Sequence, residues 1–226
     1  QFFSGQSLIN ELQSRLCRYS AENGIAIARE IIAALNGCWA VVVQWPDGRT
    51  LAAVDRLRSI PLLYGRTANG YVVTNTVDGL AARTGDLTIA SVCALEFLLS
   101  GHTSGQQTLF TAVSQVQPGE MILLDPTWNP TAVTHVRYFT CFPERARDAT
   151  RVELMGELEQ VFESMFRRCA RAMEGKTPII PLSGGFDSRA IACMLRRSGV
   201  EQSLCYTYGV KDHWEVDVAR RIAGEL

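Results

Sequence analysis

The sequence predicts an α/β protein in two parts, an α+β segment over residues 1–142 and a parallel-sheet α/β segment over residues 151–226. Between residues 38 and 139, short apolar runs alternate with turn residues, a pattern typical of antiparallel strands. Residues 178–208 form a strand, a helix and a second strand, the βαβ unit that requires a parallel sheet. The stretch from 143 to 150 is charged and lacks periodicity, so we place the boundary there.

The first segment begins with helical spacing and continues as short strands. Apolar residues recur at helical intervals from Leu8 to Ala34, and Asn23-Gly24 divides them into two helical pieces. A further helix is predicted over Ser91–Leu99. Asn69-Gly70, between two apolar runs, is the strongest hairpin signal in the chain. The predicted strands cover residues 38–45, 50–55, 62–65, 71–74, 121–125 and 134–139.

The second segment alternates helices and strands. Helices are predicted over 152–173, over 189–198 with apolar positions at Ile191, Met194 and Leu195, and from about Asp212 to the end. In the last helix, Val216, Ala219, Ile222 and Ala223 are predicted to face inward. Strands are predicted over 178–182 and 203–208. Because Pro181 has no N–H to donate to a ladder, the first of these strands is expected to be short or irregular.

The turn from Ser183 to Ser188 joins that strand to its helix and predicts an anion site. Glycines 184 and 185 let the backbone approach a ligand, and the first amides of a helix point at a negative group. The two serines supply hydroxyl donors, and Asp187 supplies a hard oxygen ligand suited to Mg²⁺. The alternative is an ordinary glycine-rich turn in which Asp187 and Ser188 only cap the helix.

Two common phosphate-binding motifs are absent from the sequence. No Gly-x-Gly-x-x-Gly follows a strand, and the Walker-like run Gly175-Lys176-Thr177 has Ala170 in place of its first glycine. The remaining pattern, Ser-Gly-Gly-x-Asp-Ser, resembles the PP-loop of the N-type ATP pyrophosphatases. The resemblance implies that the loop binds the pyrophosphate of ATP and that Asp187 helps to bind Mg²⁺.

Composition restricts the function further. A net charge of −1 gives no electrostatic footprint for nucleic acid, and no apolar run approaches the length of a membrane span. Seven scattered cysteines without Cys-x-x-Cys spacing are interpreted as reduced thiols, several of them in the core, and three separated histidines show no metal spacing. With no signal peptide visible, a cytoplasmic protein that binds neither membrane nor nucleic acid is expected.

Seven short stretches form an ordered set along the chain: Leu35–Val41, Val54–Tyr64, Phe97–Gly101, Thr108–Phe110, Gln117–Gly119, Arg137–Phe139 and Tyr206–Gly209. In this order they resemble motifs of the glutamine-hydrolysing asparagine synthetase family. The resemblance implies a class II glutamine amidotransferase domain, an αββα sandwich, over residues 1–142 and an asparagine synthase domain over 151–226. It also implies adenylation of a carboxylate with release of AMP and pyrophosphate, followed by attack of ammonia or another amine.

Few individual residues carry over from that family. Leu182 and Tyr208 correspond to positions that line the adenine and ribose. Glu215 matches an acidic position, although an ordinary first-turn carboxylate would look the same. Arg189 replaces the family's second serine, where it would contact a phosphate or simply lie in solvent. Arg58 replaces a glycine of the family's Arg-Asp-Arg-x-Gly motif, which indicates a divergent branch.

The resemblance does not extend to the first or the last motifs of the family. Gln1 corresponds to a point well inside the amidotransferase domain, so its nucleophilic cysteine has no counterpart. Cys17, predicted mid-helix, and Cys38, predicted inside an apolar strand, are not substitutes. The sequence stops at Leu226, before the family's second nucleotide motif. We therefore expect an internal piece of a longer protein, without a catalytic residue of its own, that binds nucleotide weakly.

Three functions remain open at this point. The first is an asparagine-synthase-like ligase acting on a small-molecule or peptide carboxylate with ammonia or an amine, as in the β-lactam synthetases and lasso-peptide cyclases; a homodimer is an open expectation. The second is a non-catalytic descendant that binds nucleotide or a partner protein. The third, a tRNA-modifying thiolase or lysidine synthetase, is disfavoured by the near-neutral charge.

Overall fold

The computed structural model describes residues 9–10, 14, 24–125, 132–142, 146–210 and 213–225. The chain divides into two compact units, Gln1–Pro143 and Glu144–Leu226. Strands are antiparallel in the first unit and parallel in the second, which confirms the α/β class with an α+β first segment. The predicted helix around Leu12, its Cys17 and the start of the last helix at Asp212 lie outside the described residues.

The first unit is built from two antiparallel sheets and their helices. The elements are α1 (Gly24–Ala34), β1 (Ala40–Gln44), β2 (Thr50–Val54), β3 (Leu63–Thr67), β4 (Gly70–Thr74), α2 (Val77–Thr84), α3 (Ser91–Ser100), β5 (Ser114–Gln115), β6 (Glu120–Leu124) and β7 (Val133–Arg137). One sheet has the strand order β1-β2-β6-β7, and the other has the order β4-β3-β5.

Strand β2 shows how these elements form layers. Successive side chains of a strand point to opposite faces of its sheet. Leu51 packs with Ile32 of α1, whereas the next residue, Ala52, packs with Tyr64 of β3 in the second sheet. Leu80 of α2 packs against the other face of β3. The order of layers is therefore helix, sheet, sheet, helix.

The buried carboxylate of Asp55 organises the turn after β2. It accepts hydrogen bonds from the backbone N–H groups of Trp39 (3.1 Å), Leu57 (2.9 Å) and Ser59 (3.0 Å). Burial by itself raises the pKa of this carboxyl, but these hydrogen bonds outweigh burial and lower the pKa below its ordinary value. Asp55 thus joins the start of β1 to the turn that follows β2.

Arg58, in the same turn, has left-handed backbone geometry, with φ of 55°. It is the one non-glycine residue with positive φ among the described positions. Its guanidinium Nη1 donates to Oε1 of Gln115 on β5. The position that is glycine in the resembled motif therefore requires a conformation that glycine adopts without cost.

The second unit is a βαβ unit preceded and followed by helices. Its strands are parallel, with Ile179 opposite Leu204 and Pro181 opposite Tyr206. The first strand ends at Pro181, as its missing N–H led us to expect, and Leu182 N donates to the carbonyl of Tyr206 (2.8 Å). The elements are α4 (Arg151–Ala172), β8 (Ile179–Pro181), α5 (Phe186–Arg197), β9 (Leu204–Tyr206) and α6 (Trp214–Glu225).

One prediction about the inward faces of these helices is wrong. Ala223 of α6 is exposed, because the buried side of that helix is centred on Ala219 with Ile222 partly buried. Ile191 of α5 is 44% exposed, whereas Ala192 and Leu195 enter the core.

The cysteine predictions also need correction. Cys38 precedes β1 and is exposed, not inside the strand, because the ladder begins at Ala40. Among the six described cysteines, Cys93 alone is buried, so the expectation of several core thiols is wrong for the described residues. Across the described residues, no helix combines the length and the apolar character needed to cross a membrane.

Candidate functional site

The turn predicted to bind an anion connects the end of β8 to the first turn of α5. Gly185 is the N-cap of α5, with φ −75° and ψ 161°, and no side chain caps this helix. A helix without a side-chain cap leaves its first N–H groups to water or to a bound anion. The chain therefore passes directly from β8 to a helix N-terminus that no side chain caps.

Ser183 and Ser188 hold the turn in a compact shape. The hydroxyl Oγ of Ser188 accepts from Ser183 N (3.0 Å) and lies 2.9 Å from the hydroxyl Oγ of Ser183. Ser183 Oγ in turn accepts from Gly185 N (3.2 Å). Ser188 thus binds back to the loop across five residues and does not cap its own helix. The loop is preorganised by its own hydroxyls.

Gly184 is buried beneath the start of α6. A Cβ atom at this position would lie 2.8 Å from Cζ3 of Trp214, 3.0 Å from Cγ of Glu215 and 3.2 Å from Cα of Glu215. Real Cβ atoms essentially never approach another atom as closely as 2.8 Å, and contacts of 3.0 to 3.2 Å are unusually tight. The turn therefore needs glycine at 184 because the next helix packs on it, in addition to any ligand.

Asp187 lies in the first turn of α5 and is exposed. Within the described residues its carboxylate makes no hydrogen bond or ion pair, so it does not act as a helix cap. An exposed carboxylate beside the open amides of α5 is free to bind a cation that accompanies a phosphate.

The side chains of Leu182 and Tyr208, predicted to line the adenine and ribose, differ in their burial. The Leu182 side chain is 2% exposed and packs in the core with Ile180 and Leu195, so only its backbone is at the turn. Tyr208 is 88% exposed, two residues beyond β9, and makes no hydrogen bond among the described residues. The Leu182 side chain thus belongs to the core beside the turn, and the Tyr208 side chain is open to solvent.

Trp214, the first residue of α6, and His213, which precedes that helix, were not among the predicted site residues. Trp214 covers Gly184, and His213 Nδ1 accepts from Glu215 N (3.4 Å) and lies 3.8 Å from the Glu215 carboxylate. The sequence predicts Glu215 on this helix, but nothing in it indicates that the start of the helix packs against Gly184. A glycine that follows a strand and is buried by a later helix leaves no periodic signal.

The residues present fit a magnesium–phosphate ligand. No group of three or more His, Cys, Asp or Glu side chains able to hold a metal occurs in the described part of the chain. Mg²⁺ bound with a nucleotide commonly takes one or two protein carboxylates together with phosphate oxygens and water. Asp187 with the open amides of α5 meets that requirement, whereas an ion held by protein groups alone would not find enough ligands there.

Comparison with known proteins gives no family assignment. No protein-family model and no curated protein matches the sequence. Among solved structures, the chain is similar to one described as the structure of the allosteric regulatory enzyme of purine biosynthesis, with a TM-score of 0.38 and 14% sequence identity. The similarity covers 98% of this chain and 44% of that protein.

Proposed function

We propose that this chain carries the pyrophosphate-binding part of an ATP-dependent ligase that adenylates a carboxylate. The observation that carries the proposal is the Ser183–Ser188 loop: preorganised by its serines, placed between a parallel strand and an uncapped helix, with Asp187 unpaired beside it. Parallel α/β sheets bind ligands at the carboxyl ends of their strands, which is where this loop lies.

The reaction assigns one task to the loop. A carboxylate oxygen of the substrate attacks the α-phosphorus of ATP, the bond between that phosphorus and the bridging oxygen breaks, and pyrophosphate leaves. An amine then attacks the acyl carbon and AMP leaves. Negative charge grows on the departing pyrophosphate, and fixed N–H donors aimed at that charge stabilise the transition state.

The residues divide this task between them. The N–H groups at the start of α5 bind the phosphate oxygens, assisted by the positive end of the helix dipole. Ser183 and Ser188 hold the loop and can turn their hydroxyls toward a bound phosphate. Asp187 would hold Mg²⁺, which supplies charge neutralisation for the pyrophosphate.

Binding of pyrophosphate and ATP tests this assignment. Isothermal calorimetry on the full-length protein with Mg²⁺ should show both ligands binding, and Asp187→Asn should weaken each by about tenfold or more, as expected for loss of a charged metal ligand. Glu201→Gln, which removes an exposed carboxylate after the far end of α5, should leave both affinities unchanged.

Calorimetry, combined with an assay of AMP formation, separates this proposal from a nucleotide-binding descendant without catalysis. Equal affinities in the wild type and Asp187→Asn would contradict the role of the loop. Tight ATP binding that depends on Asp187, without any AMP formed from a panel of carboxylates, would favour a nucleotide-binding descendant without catalysis.

A further inference from the structure

Arg189 folds back over the N-terminus of its own helix. Its Nε donates to the carbonyl oxygen of Gly185 (3.0 Å), and its guanidinium carbon lies 4.4 Å from the centre of the Phe186 ring. The residue is partly buried although it lies on the first turn of α5. The side chain is therefore fixed by two contacts that are both made to the loop.

The first contact, from Arg189 to the Gly185 carbonyl, bears on the orientation of the Phe186 N–H. The carbonyl of Gly185 and the N–H of Phe186 belong to one planar trans peptide unit, so they point in opposite directions. A donor that holds the carbonyl against the helix therefore holds the N–H outward, toward the open N-terminus. As the N-cap carbonyl, this oxygen also accepts the first N–H of the helix, and the Arg189 side chain adds a second donor to the same oxygen.

The second contact fixes the guanidinium plane itself. Stacking on an aromatic ring is characteristic of arginine, whose planar group also donates in fixed directions. Lysine has neither the plane nor the Nε–H donor. The pair of contacts therefore depends on arginine and not on positive charge alone.

We propose that Arg189 is a positioning residue of the phosphate loop, which aims the Phe186 N–H at a bound phosphate by holding the Gly185 carbonyl. This proposal rests on the proposed function for its ligand, a pyrophosphate group. It differs from a simple charge effect, in which any cation at position 189 would attract the anion equally well.

The test uses three variants of the full-length protein. Arg189→Gln removes the charge and both contacts, and Arg189→Lys keeps the charge. Arg196→Gln is the matched control, because Arg196 lies on the same helix and also donates to a carbonyl, that of Glu201 (2.8 Å), but at the far end. Two quantities are measured: the dissociation constant of magnesium pyrophosphate and the ¹⁵N order parameters of the Gly185 and Phe186 amides without added ligand.

Both Arg189 variants should lower these order parameters from about 0.85 toward 0.6. Both should also weaken pyrophosphate binding about tenfold, the loss expected for a misaimed charge-assisted hydrogen bond. Arg196→Gln should change neither quantity. Wild-type affinity and order in Arg189→Lys would overturn the positioning role while leaving the proposed function intact. A wild type that binds no pyrophosphate, with order parameters that still respond to Arg189, would contradict the proposed function alone.

Discussion

Gly184 is the residue at which fold and proposed function meet most closely. Its missing side chain lets the first turn of α6 pack on the loop, with Trp214 and Glu215 occupying the space of a Cβ atom. Gly184→Ala should therefore force α6 away from the loop. We expect it to lower the free energy of unfolding by about 1–3 kcal/mol, as overpacking does, measured by urea denaturation.

Gly156→Ala is the matched control for that substitution. Gly156 lies inside α4, is exposed, and a Cβ atom there would meet nothing within 4 Å. Alanine at a helical site of this kind should raise the free energy of unfolding by about 0.5–1 kcal/mol. Equal effects of the two substitutions would show that the packing on Gly184 is not restrictive.

Arg58 allows a second prediction at the scale of one residue. Both Arg58→Gly and Arg58→Ala remove the hydrogen bond to Gln115, so their difference isolates the positive φ. Since left-handed geometry costs a residue with a Cβ roughly 1 kcal/mol, the glycine variant should be the more stable by about that amount in chemical denaturation.

The reverse order is expected at Arg29, an exposed position in α1. There Arg29→Ala should be more stable than Arg29→Gly by about 1 kcal/mol, because the backbone is helical. If alanine were favoured at both positions, the left-handed geometry of Arg58 would be wrong.

At the scale of elements, the Asp55 turn joins β1, β2 and the segment leading to β3. Its carboxylate is ionised while it accepts three backbone hydrogen bonds, and its pKa is lowered in the folded protein. The unfolded chain therefore binds this proton more readily, with a pKa near 3.9. The stabilisation is present above that pH and is lost as the pH falls through the lower folded pKa.

Asp55→Asn tests this linkage. The amide keeps one acceptor but loses the charge, so we expect a loss of about 1.5–3 kcal/mol at pH 7, from denaturation curves, and a weaker fall of stability below pH 4. Asp47→Asn, at an exposed hairpin carboxylate paired with Arg49, should cost under about 1 kcal/mol. If the free energy of unfolding of Asp55→Asn fell below pH 4 as steeply as that of the wild type, the role given to this carboxylate would be contradicted.

The elements also show what a sequence can predict. The βαβ unit, its short first strand and most strands of the first unit follow from periodicity and from Pro181, since both act locally. Helix α2 was missed although its signals were present: Thr76 accepts from Gly79 N, and Gly85 ends the helix in left-handed geometry. With eight residues and one buried side chain, Leu80, it has too short a periodic pattern to detect.

The site was predictable only in part, because a sequence motif is local and tertiary contacts are not. The motif Ser183–Ser188 identified the loop because the residues with the relevant side chains are contiguous in sequence. The packing of Trp214 on Gly184 depends on a contact across 30 positions, and the burial of Leu182 depends on helices on both sides of it. Tertiary contacts of this kind have no local pattern.

At the scale of the whole molecule, each unit has its own core. The first has an antiparallel four-layer arrangement around β2 and β6, and the second has a parallel pair of strands packed with α4, α5 and α6. The proposed ATP chemistry belongs to the second unit alone.

The exchange of labelled pyrophosphate into ATP by the full-length protein tests the central claim most directly. Adenylation is reversible before the amine attacks, so label should enter ATP only when Mg²⁺ and a suitable amino acid or peptide carboxylate are present. Asp187→Asn should abolish the exchange, and Glu201→Gln should not. Formation of ADP and phosphate, with no label in ATP for any carboxylate, would contradict the account.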